Sequence, residues 1–317
     1  MRHSLPSPDP ISGAGLTDVV GDLVEADEQR IVVDTGRGRV TVPRAAVVAT
    51  RVIPPRASRR GAPHRALSIE DLERVMLGAW PPTEQQHLGE WVLRAAGGFT
   101  ARANSALTIG HPDRPVPTAL DDIGQWYAAR ALTPVLAVPL APGLGLTDDD
   151  VAATALRSGW TAGAPVLVLT GATRQVVAAA QDSANRIEIE TTPHVTEAWF
   201  ATYARSRAAS RADVKGVLEG SPTQWFAVAR SASSAVVGVG RVGISSGWAG
   251  VGAMWVEPSE RSRGIGTAVL HRLLTRAVEH GCVSTHLQVA SGNAAATDLY
   301  RRLGYREHHR YTYLTRG

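Results

Sequence analysis

One segment, residues 251–278, places a buried strand, a basic glycine turn and a helix in immediate succession. The apolar run from Val251 to Val256 predicts the strand, and Pro258 ends it because proline cannot donate a ladder hydrogen bond. Gly264 and Gly266 follow, and apolar residues then recur at helical spacing. These apolar residues are Ile265, Val269, Leu270, Leu273, Leu274 and Val278. The two glycines therefore lie at the beginning of the predicted helix.

The beginning of this helix has the chemistry of an anion site. The first N–H groups of a helix lack an intrahelical partner and carry partial positive charge. Gly264 and Gly266 allow a ligand to approach the backbone more closely than a Cβ would permit. Arg261 and Arg263 add full positive charges. The segment therefore predicts a cradle for a pyrophosphate.

Two motifs carry a resemblance to a known family. The pattern Arg261-x-x-Gly264-x-Gly266 after a strand resembles the acyl-CoA loop of the GNAT superfamily of N-acetyltransferases. The stretch from Asn293 through Tyr300 to Tyr305 resembles the second GNAT motif, Asn-x-x-Ala-x-x-Leu-Tyr-x-x-x-Gly-Tyr/Phe. The two motifs occur in the family's order, separated by one helix and one strand, and the resemblance covers residues 187–317.

The resemblance implies that acetyl-CoA is the cosubstrate and that the acetyl group passes to an amine by direct attack in a ternary complex. It also implies that the pantetheine arm runs along residues 254–256, with the backbone N–H of Val256 as the oxyanion donor. The residues expected to contact acetyl-CoA are Met254, Trp255, Val256, Arg261, Ser262, Arg263, Gly264, Ile265, Gly266, Thr267, Asn293 and Tyr300.

Tyr300 is the candidate acid for the leaving thiolate. A tyrosine of pKa about 10 is a suitable proton donor to a nascent thiolate whose conjugate thiol has a pKa of about 8.5. Tyr300 follows Asn293 by nearly two helical turns, so both residues occupy one helix face. Two structural alternatives stay open: Tyr300 packs in the core, and Asn293 is a helix N-cap.

The sequence offers no firm general base. Glu257, beside the oxyanion strand, is a weak candidate whose alternative is an exposed turn residue. His308 and His309 are expected to be solvated surface residues near the last strand. An acceptor amine of low pKa needs no base at all.

The rest of the chain suggests two tandem halves behind a small β domain. Short apolar runs separated by turn signals predict an SH3-like β-barrel over residues 1–55, either a structural appendage or a partner-binding module. Residues 56–66 form a predicted linker. A repeat offset of 145 residues relates Gly159 and Thr170 to Gly304 and Thr315.

This repeat predicts a degenerate GNAT-like domain over residues 67–186 and a catalytic GNAT domain over residues 187–317. In the first copy the glycine cradle is replaced by residues 110–115, Gly-His-Pro-Asp-Arg-Pro. Residues 172–186 are taken as a connection, and helices are predicted at 196–209 and 212–218. The expected fold is α/β (α+β), with a mixed central sheet flanked by helices. The whole arrangement resembles an actinobacterial type of GNAT protein.

Composition excludes several classes of protein. A net charge of +4 in 317 residues gives no case for a nucleic-acid partner. Cys282 is the only cysteine, which excludes intrachain disulfides and cysteine-rich metal sites, and no metal is expected. No apolar run reaches the roughly 18 residues of a membrane span, and no secretory signal is found. A cytoplasmic monomer or homodimer is the simplest expectation.

The sequence therefore predicts an acetyl-CoA-dependent N-acetyltransferase whose amine acceptor is unidentified. The alternative is a non-catalytic acyl-CoA-binding sensor or scaffold that recruits partners through the N-terminal barrel.

Overall fold

The computed structural model describes residues 1–5, 15–35, 38–50, 63–184, 187–204 and 211–316. The chain divides into two compact units, Met1–Arg56 and Ala57–Gly317. Most of the predicted linker at 56–66 lies outside the described residues, as does the predicted helix 196–209 from residue 205 on.

The first unit consists of short strands in two antiparallel three-stranded sheets, ordered β2-β1-β6 and β3-β4-β5. The strands are β1 (Arg2–Ser4), β2 (Leu16–Asp18), β3 (Asp22–Ala26), β4 (Arg30–Thr35), β5 (Gly38–Pro43) and β6 (Val47–Ala49). Val32, Val33 and Val42 are the buried hydrophobic residues described here. The strand-rich character is as predicted, whereas closure into an SH3-like barrel stays a prediction.

The second unit is built on one mixed sheet of eleven strands with helices on both faces, which confirms the predicted mixed α/β layering. Its helices are α1 (Ile69–Ala79), α2 (Val116–Ala128), α3 (Asp150–Arg157), α4 (Thr173–Ala184), α5 (Glu197–Ala204), α6 (Arg211–Leu218), α7 (Ile265–Glu279) and α8 (Ala294–Arg302). Its strands are β7 (Glu84–Leu88), β8 (Trp91–Ala95), β9 (Ala106–Leu107), β10 (Val135–Leu140), β11 (Thr161–Ala172), β12 (Ile189–Thr192), β13 (Thr223–Arg230), β14 (Val236–Ser245), β15 (Trp248–Val256), β16 (Ser284–Ala290) and β17 (Arg306–Thr315).

The strand order shows that the last strand of each repeat pairs with the other repeat. The order is β12-β13-β14-β15-β16-β11-β17-β10-β9-β8-β7, so β11 lies beside β16 and β17 lies beside β10. β11 begins at Thr161 and β17 at Arg306, the same offset that the sequence repeat predicts. Gly159 and Gly304, which precede these strands, both have positive φ, at 84° and 97°. Because one sheet crosses residue 186, the division into halves stays a prediction that the repeat supports.

The segment expected to be a connection, residues 172–186, is instead mostly helix α4. It contains no glycine or proline after Ala172, and Val176 and Ala180 occur four residues apart on one face. Both are buried in the same core cluster as Leu270 and Leu274 of α7. The helix therefore covers part of the sheet face on which α7 lies.

Helices α1 and α7 cover opposite faces of the sheet around β14 and β15. A Cβ added to Gly240 would meet Val269 and Leu273 of α7, whereas one added to Gly243 would meet the Ala79 carbonyl of α1. An odd spacing along a strand places these two residues on opposite faces. Strand β15 thus lies between α7, which follows the glycine turn, on one face and α1 on the other.

Arg241 on β14 connects the ends of two helices on the α1 face. It is fully buried and donates to the Leu218 carbonyl at 2.6 Å, the Ala79 carbonyl at 2.7 Å and the Ser221 hydroxyl at 2.7 Å. Ala79 and Leu218 are the last residues of α1 and α6, where helix carbonyls carry partial negative charge. Burial lowers the pKa of Arg241 to about 9, and these acceptors stabilise its charged form.

Candidate active site

Strands β15 and β16 separate part-way along their length. They pair in parallel only where residues 248–251 lie beside residues 284–287. Beyond these pairs β15 continues to Val256 along β14, and β16 continues to Ala290 along β11. Among the described residues, the facing edges of 252–256 and 288–290 have no ladder partner. This gap, called the splay below, opens the sheet between the α7 face and the α1 face.

A β-bulge shapes the β15 side of the splay. The register with β14 shifts between the pairs Val239–Trp255 and Arg241–Gly252, so β15 carries one residue more than its partner. Ala253 lies in the bulged segment and has φ at 51°. This left-handed conformation is uncommon for a residue with a Cβ. Bulges re-aim strands next to functional sites.

The bulge leaves the Val256 amide directed into the splay. The Glu257 amide donates to the Val237 carbonyl at 2.9 Å, and Val256 lies opposite Gly238. In an antiparallel ladder this makes Val256 and Gly238 a non-hydrogen-bonded pair, so the Val256 N–H points away from β14. The Val256 N–H therefore points toward the side from which β16 has diverged. The sequence predicts an oxyanion donor at this position.

The N-terminus of α7 has the open backbone that the glycine pattern predicts. The N-cap residue Gly264 has φ at 82°, and no side chain caps the helix. Ser262 is also left-handed, with φ at 62°. The Ala268 amide makes the first intrahelical bond, to the Gly264 carbonyl at 2.9 Å. The N–H groups of residues 265–267 therefore precede the helical ladder and are oriented toward the turn.

No packing contact within the protein requires a glycine at position 266. A Cβ added there would meet only the Val256 side chain, at an ordinary contact distance of 3.6 Å. The protein itself therefore has room for a larger residue at this position. A glycine where the fold does not need one is expected where another molecule approaches the backbone.

The two arginines of the turn lie near this opening. Arg261 is exposed and donates from Nε to the Val256 carbonyl at 3.2 Å. Arg263 is exposed and donates to Glu260 at 2.9 Å. Arg261 thus connects the end of β15 to the turn, and Arg263 is held at the surface by a partly exposed ion pair.

Tyr300 lies on α8, on the same side of the sheet as α7, and Asn293 immediately precedes that helix. Tyr300 is half-buried against that core and packs edge-on to Tyr305, with 5.8 Å between ring centroids. Burial raises the pKa of Tyr300 to about 12, so its phenol stays protonated. Asn293 is exposed and its side chain accepts from the Ala296 amide at 3.2 Å. The N-cap alternative for Asn293 is therefore realised, and a contact with CoA stays a prediction.

The candidate bases differ in their surroundings. Glu257 is half-buried and precedes the 3₁₀ turn Pro258–Glu260. The expectation that His308 and His309 are solvated is wrong, because β17 lies inside the sheet. His309 is fully buried and His308 is half-buried. Burial lowers the pKa of His308 to about 4.

The corresponding loop of the first repeat is filled by the protein itself. Helix α2 follows Pro115 as its N-cap and has a second proline at position 117, which removes an amide donor from the first turn. The Glu90 carboxylate accepts from the His111 amide at 2.9 Å and lies where a Cβ on Gly110 would be. An acidic side chain therefore lies against the backbone of this loop, and the loss of an anion cradle here stays a prediction.

A polar cavity on the α1 face was missed by sequence reasoning. It is lined by Glu73, Arg94, Arg102, Ala137, Gln288, Tyr311 and Tyr313. The available signal was Glu73, a charged residue on the apolar stripe that Leu72, Met76 and Ala79 form on α1. A charge at such a position is buried with the stripe and needs partners. We call this space the α1-face cavity.

Metal-binding groups and membrane-spanning helices are both absent from the described residues. They contain no group of three side chains arranged to hold a metal ion. None of their helices combines the length and the apolar character needed to cross a membrane.

Comparison with known proteins adds the family. The family model described as "Probable histone acetyltransferase Rv0428c C-terminal" matches residues 67–314. YobR of Bacillus subtilis (strain 168), an uncharacterized N-acetyltransferase, is 26% identical over 247 residues, which are 76% of this chain and 97% of that protein. The probable histone acetyltransferase Rv0428c of Mycobacterium tuberculosis (strain ATCC 25618 / H37Rv) is 39% identical over 126 residues, 39% of this chain and 38% of that protein.

A solved structure shares the architecture. The tandem GNAT protein from the clavulanic acid biosynthesis pathway aligns with a TM-score of 0.53 at 15% identity, over 82% of this chain and 91% of that chain. This likeness concerns the fold, and it agrees with the repeat and the shared sheet described above. The relatives favour an enzyme over a non-catalytic sensor. The chain belongs to the family of the C-terminal part of the probable histone acetyltransferase Rv0428c, and it is an acetyltransferase with a GNAT-type fold.

Proposed function

We propose that the protein transfers the acetyl group of acetyl-CoA to an amine, by direct attack within a ternary complex at the splay. The observation that carries the proposal is the coincidence of two features. The uncapped N-terminus of α7 and the inward-directed Val256 amide lie at the two ends of one short segment, residues 256–265. One site can thereby hold the pyrophosphate of a donor and polarise its thioester carbonyl.

The residues of the turn supply the donor site. The amides of residues 265–267, with Arg261 and Arg263, suit the pyrophosphate because they combine a helix N-terminus with full positive charges. The bound donor supplies an activated acetyl group and a thiol leaving group. Met254 and Trp255 place the β15 backbone beside the pantetheine arm, and Asn293 at the start of α8 is a further contact.

The chain's own residues account for two charge changes in the reaction. The Val256 N–H donates to the carbonyl oxygen as negative charge develops there, an interaction that commonly contributes about 3–4 kcal/mol. Tyr300, kept protonated by burial, donates its proton to the departing sulfur. The acceptor approaches from the α1 face, because α7 and α8 occupy the other side of the splay.

Several features of the proposal rest on the sequence alone. These are the cytoplasmic location, the choice between monomer and homodimer, and the division into SH3-like, degenerate and catalytic domains. Glu257 is retained as a weak base candidate.

The proposal is tested by thiol release from acetyl-CoA in the presence of a panel of primary amines. We expect amine-dependent release by the full chain, and its absence with every amine would contradict the proposed transfer.

Gly264→Val is expected to abolish CoA binding without unfolding the protein. Gly281→Val is the matched control, because Gly281 is also a positive-φ glycine beside an end of α7, with nothing within 4 Å of an added Cβ. CoA affinity unchanged in Gly264→Val would reject the cradle.

A further inference from the structure

The α1-face cavity lies directly across the splay on the acceptor side. Gln288, which lines the cavity, is the first β16 residue beyond the last pair with β15. On the β15 side, the Trp80 ring lies over Gly252, where an added Cβ would be 3.1 Å away. The Arg102 guanidinium, which also lines the cavity, lies 5.4 Å from the Trp80 ring centroid. The cavity therefore reaches the β16 edge of the splay through Gln288, and the contact between Arg102 and Trp80 connects it to the β15 edge.

The hydrogen bonds of His308 and His309 show that Glu73, the acidic residue of this cavity, belongs to a pair without net charge. His308 Nε2 lies 3.0 Å from the Leu67 carbonyl, which can only accept, so Nε2 donates. His308 is neutral because burial lowers its pKa to about 4, and its Nδ1 therefore accepts. His309 Nδ1, at 2.9 Å, must then donate to it.

The remaining link joins His309 Nε2 to Glu73 Oε1 at 2.9 Å. A hydrogen bond there requires one proton between the two atoms. The pair is then either a carboxylic acid beside a neutral imidazole or a carboxylate beside an imidazolium, and its net charge is zero in both cases. Glu73 thus provides no net negative charge to the cavity.

Two arginines in the cavity are left without compensation. Arg94 is 4% exposed, and its guanidinium donates to neutral acceptors, the Ser105 carbonyl at 2.8 Å and the Ser105 hydroxyl at 2.7 Å. Arg102 stacks on Trp80. Within the described ranges, neither arginine makes an ion pair with an acidic side chain. His286 nearby is neutral, since burial and the charge of Arg102 lower its pKa to about 3.

The cavity therefore has net positive charge in surroundings from which water is partly excluded. Such a site favours an anionic group and disfavours the ammonium form of a lysine side chain. The Tyr311 and Tyr313 hydroxyls, 3.2 Å apart, and Gln288 provide neutral hydrogen-bonding groups beside the arginines. The charge and the hydrogen-bonding groups of this lining suit a carboxylate.

We infer that the acceptor is a small amine that carries a carboxylate, and that Arg94 and Arg102 bind this carboxylate while the amine points into the splay. The inference rests on the proposed acetyl transfer. The closest chemical class is an amino acid or a similar amino carboxylate. A basic peptide is the class that the cavity charge opposes.

The test compares L-amino acids with their α-carboxamides as acceptors, together with a lysine-rich peptide. We expect kcat/KM for the acids to exceed that for the amides by about 10- to 100-fold, the range given by one or two charge-assisted hydrogen bonds. The amide has the more easily deprotonated amine, so a preference for the acid cannot arise from amine basicity. Thermal shifts with the same compounds report binding without turnover.

The decisive variant is Arg102→Gln, because Arg102 is only half-buried. It should raise KM for the acids toward that for the amides and remove their thermal shift, with a smaller effect of Arg102→Lys. Arg157→Gln, an exposed arginine on α3, is the matched control and should change neither. Equal use of acids and amides, or preference for the peptide, would overturn the inference while leaving acetyl transfer intact. Arg102-dependent binding of the acids without turnover would support the carboxylate-binding role of Arg102, but it would reject the proposed transfer and with it the role of these compounds as acceptors.

Discussion

The replacement Gly266→Ala is expected to have opposite effects on the stability of the fold and on the binding of CoA. The added Cβ has only one neighbour, the Val256 side chain at 3.6 Å, so no clash opposes it. Alanine is favoured over glycine in helices by up to about 1 kcal/mol, and somewhat less in the first turn. We therefore expect the free energy of unfolding to stay level or rise by about 0.5 kcal/mol.

Binding of CoA should change in the opposite direction. A methyl group at position 266 keeps a pyrophosphate from the amides of the first turn. Loss of one or two hydrogen bonds to a charged group costs about 2–3 kcal/mol, which corresponds to a Kd roughly 30- to 150-fold higher. Isothermal titration with CoA gives the affinity, and urea denaturation gives the stability.

The matched control is Gly124→Ala in α2, another helical glycine with nothing within 4 Å of an added Cβ. It should raise stability by up to about 1 kcal/mol and leave the CoA affinity unchanged. If Gly266→Ala binds CoA as tightly as the control, the N-terminus of α7 is not the pyrophosphate site. If it unfolds, the open space described at Gly266 is wrong.

Three further predictions address catalysis, pH dependence and packing. Tyr300→Phe should lower kcat by about 100-fold or more with little change in CoA affinity, because the ring is kept and only the acid is lost; an unchanged kcat removes Tyr300 from the mechanism. The pKa of His286 is lowered by burial to about 3, so its contribution to stability is complete above pH 6.5 and is lost as the pH falls. Between pH 6.5 and 4, wild type should lose about 3 kcal/mol more than His286→Leu in urea denaturation, and parallel pH curves would contradict this. Arg241→Met should destabilise the protein by about 2–4 kcal/mol, since the Ala79 and Leu218 carbonyls lose their buried donor; a loss below 0.5 kcal/mol would show that they find other partners.

The helix N-terminus that we propose as the donor site was the part most accessible from sequence, because its information is local. A strand followed by Pro258, two glycines and a helical periodicity determines the position of the helix N-terminus wherever the segment is placed. The bulge at Ala253 was not accessible, since neither its residue type nor its neighbours mark a left-handed position. Tyr300 and Asn293 were located by a motif, and their expected roles with CoA are predictions that mutation can test.

The α1-face cavity, which we propose as the acceptor side, was hidden because it depends on distant strand pairing. The β17 sequence contains two arginines, a glutamate and two histidines, which is typical of an exposed edge strand. Its place between β11 and β10 buries His309 and brings it to Glu73, 236 positions away in the chain. The helix α4 was missed for a related reason, since its apolar face is short and acquires a partner only when α7 packs on it.

The placement of β17 has a consequence for the order of events during biosynthesis. The ribosome makes β10 and β11 well over a hundred residues before the strand that lies between β10 and β11 in the sheet. Until β17 emerges, the β10 edge faces no neighbour and the nascent first repeat exposes backbone groups that other chains could pair with. A ribosome that stalls before residue 306 would therefore release neither a folded first repeat nor a folded second one, and chaperone demand should persist almost to the end of translation.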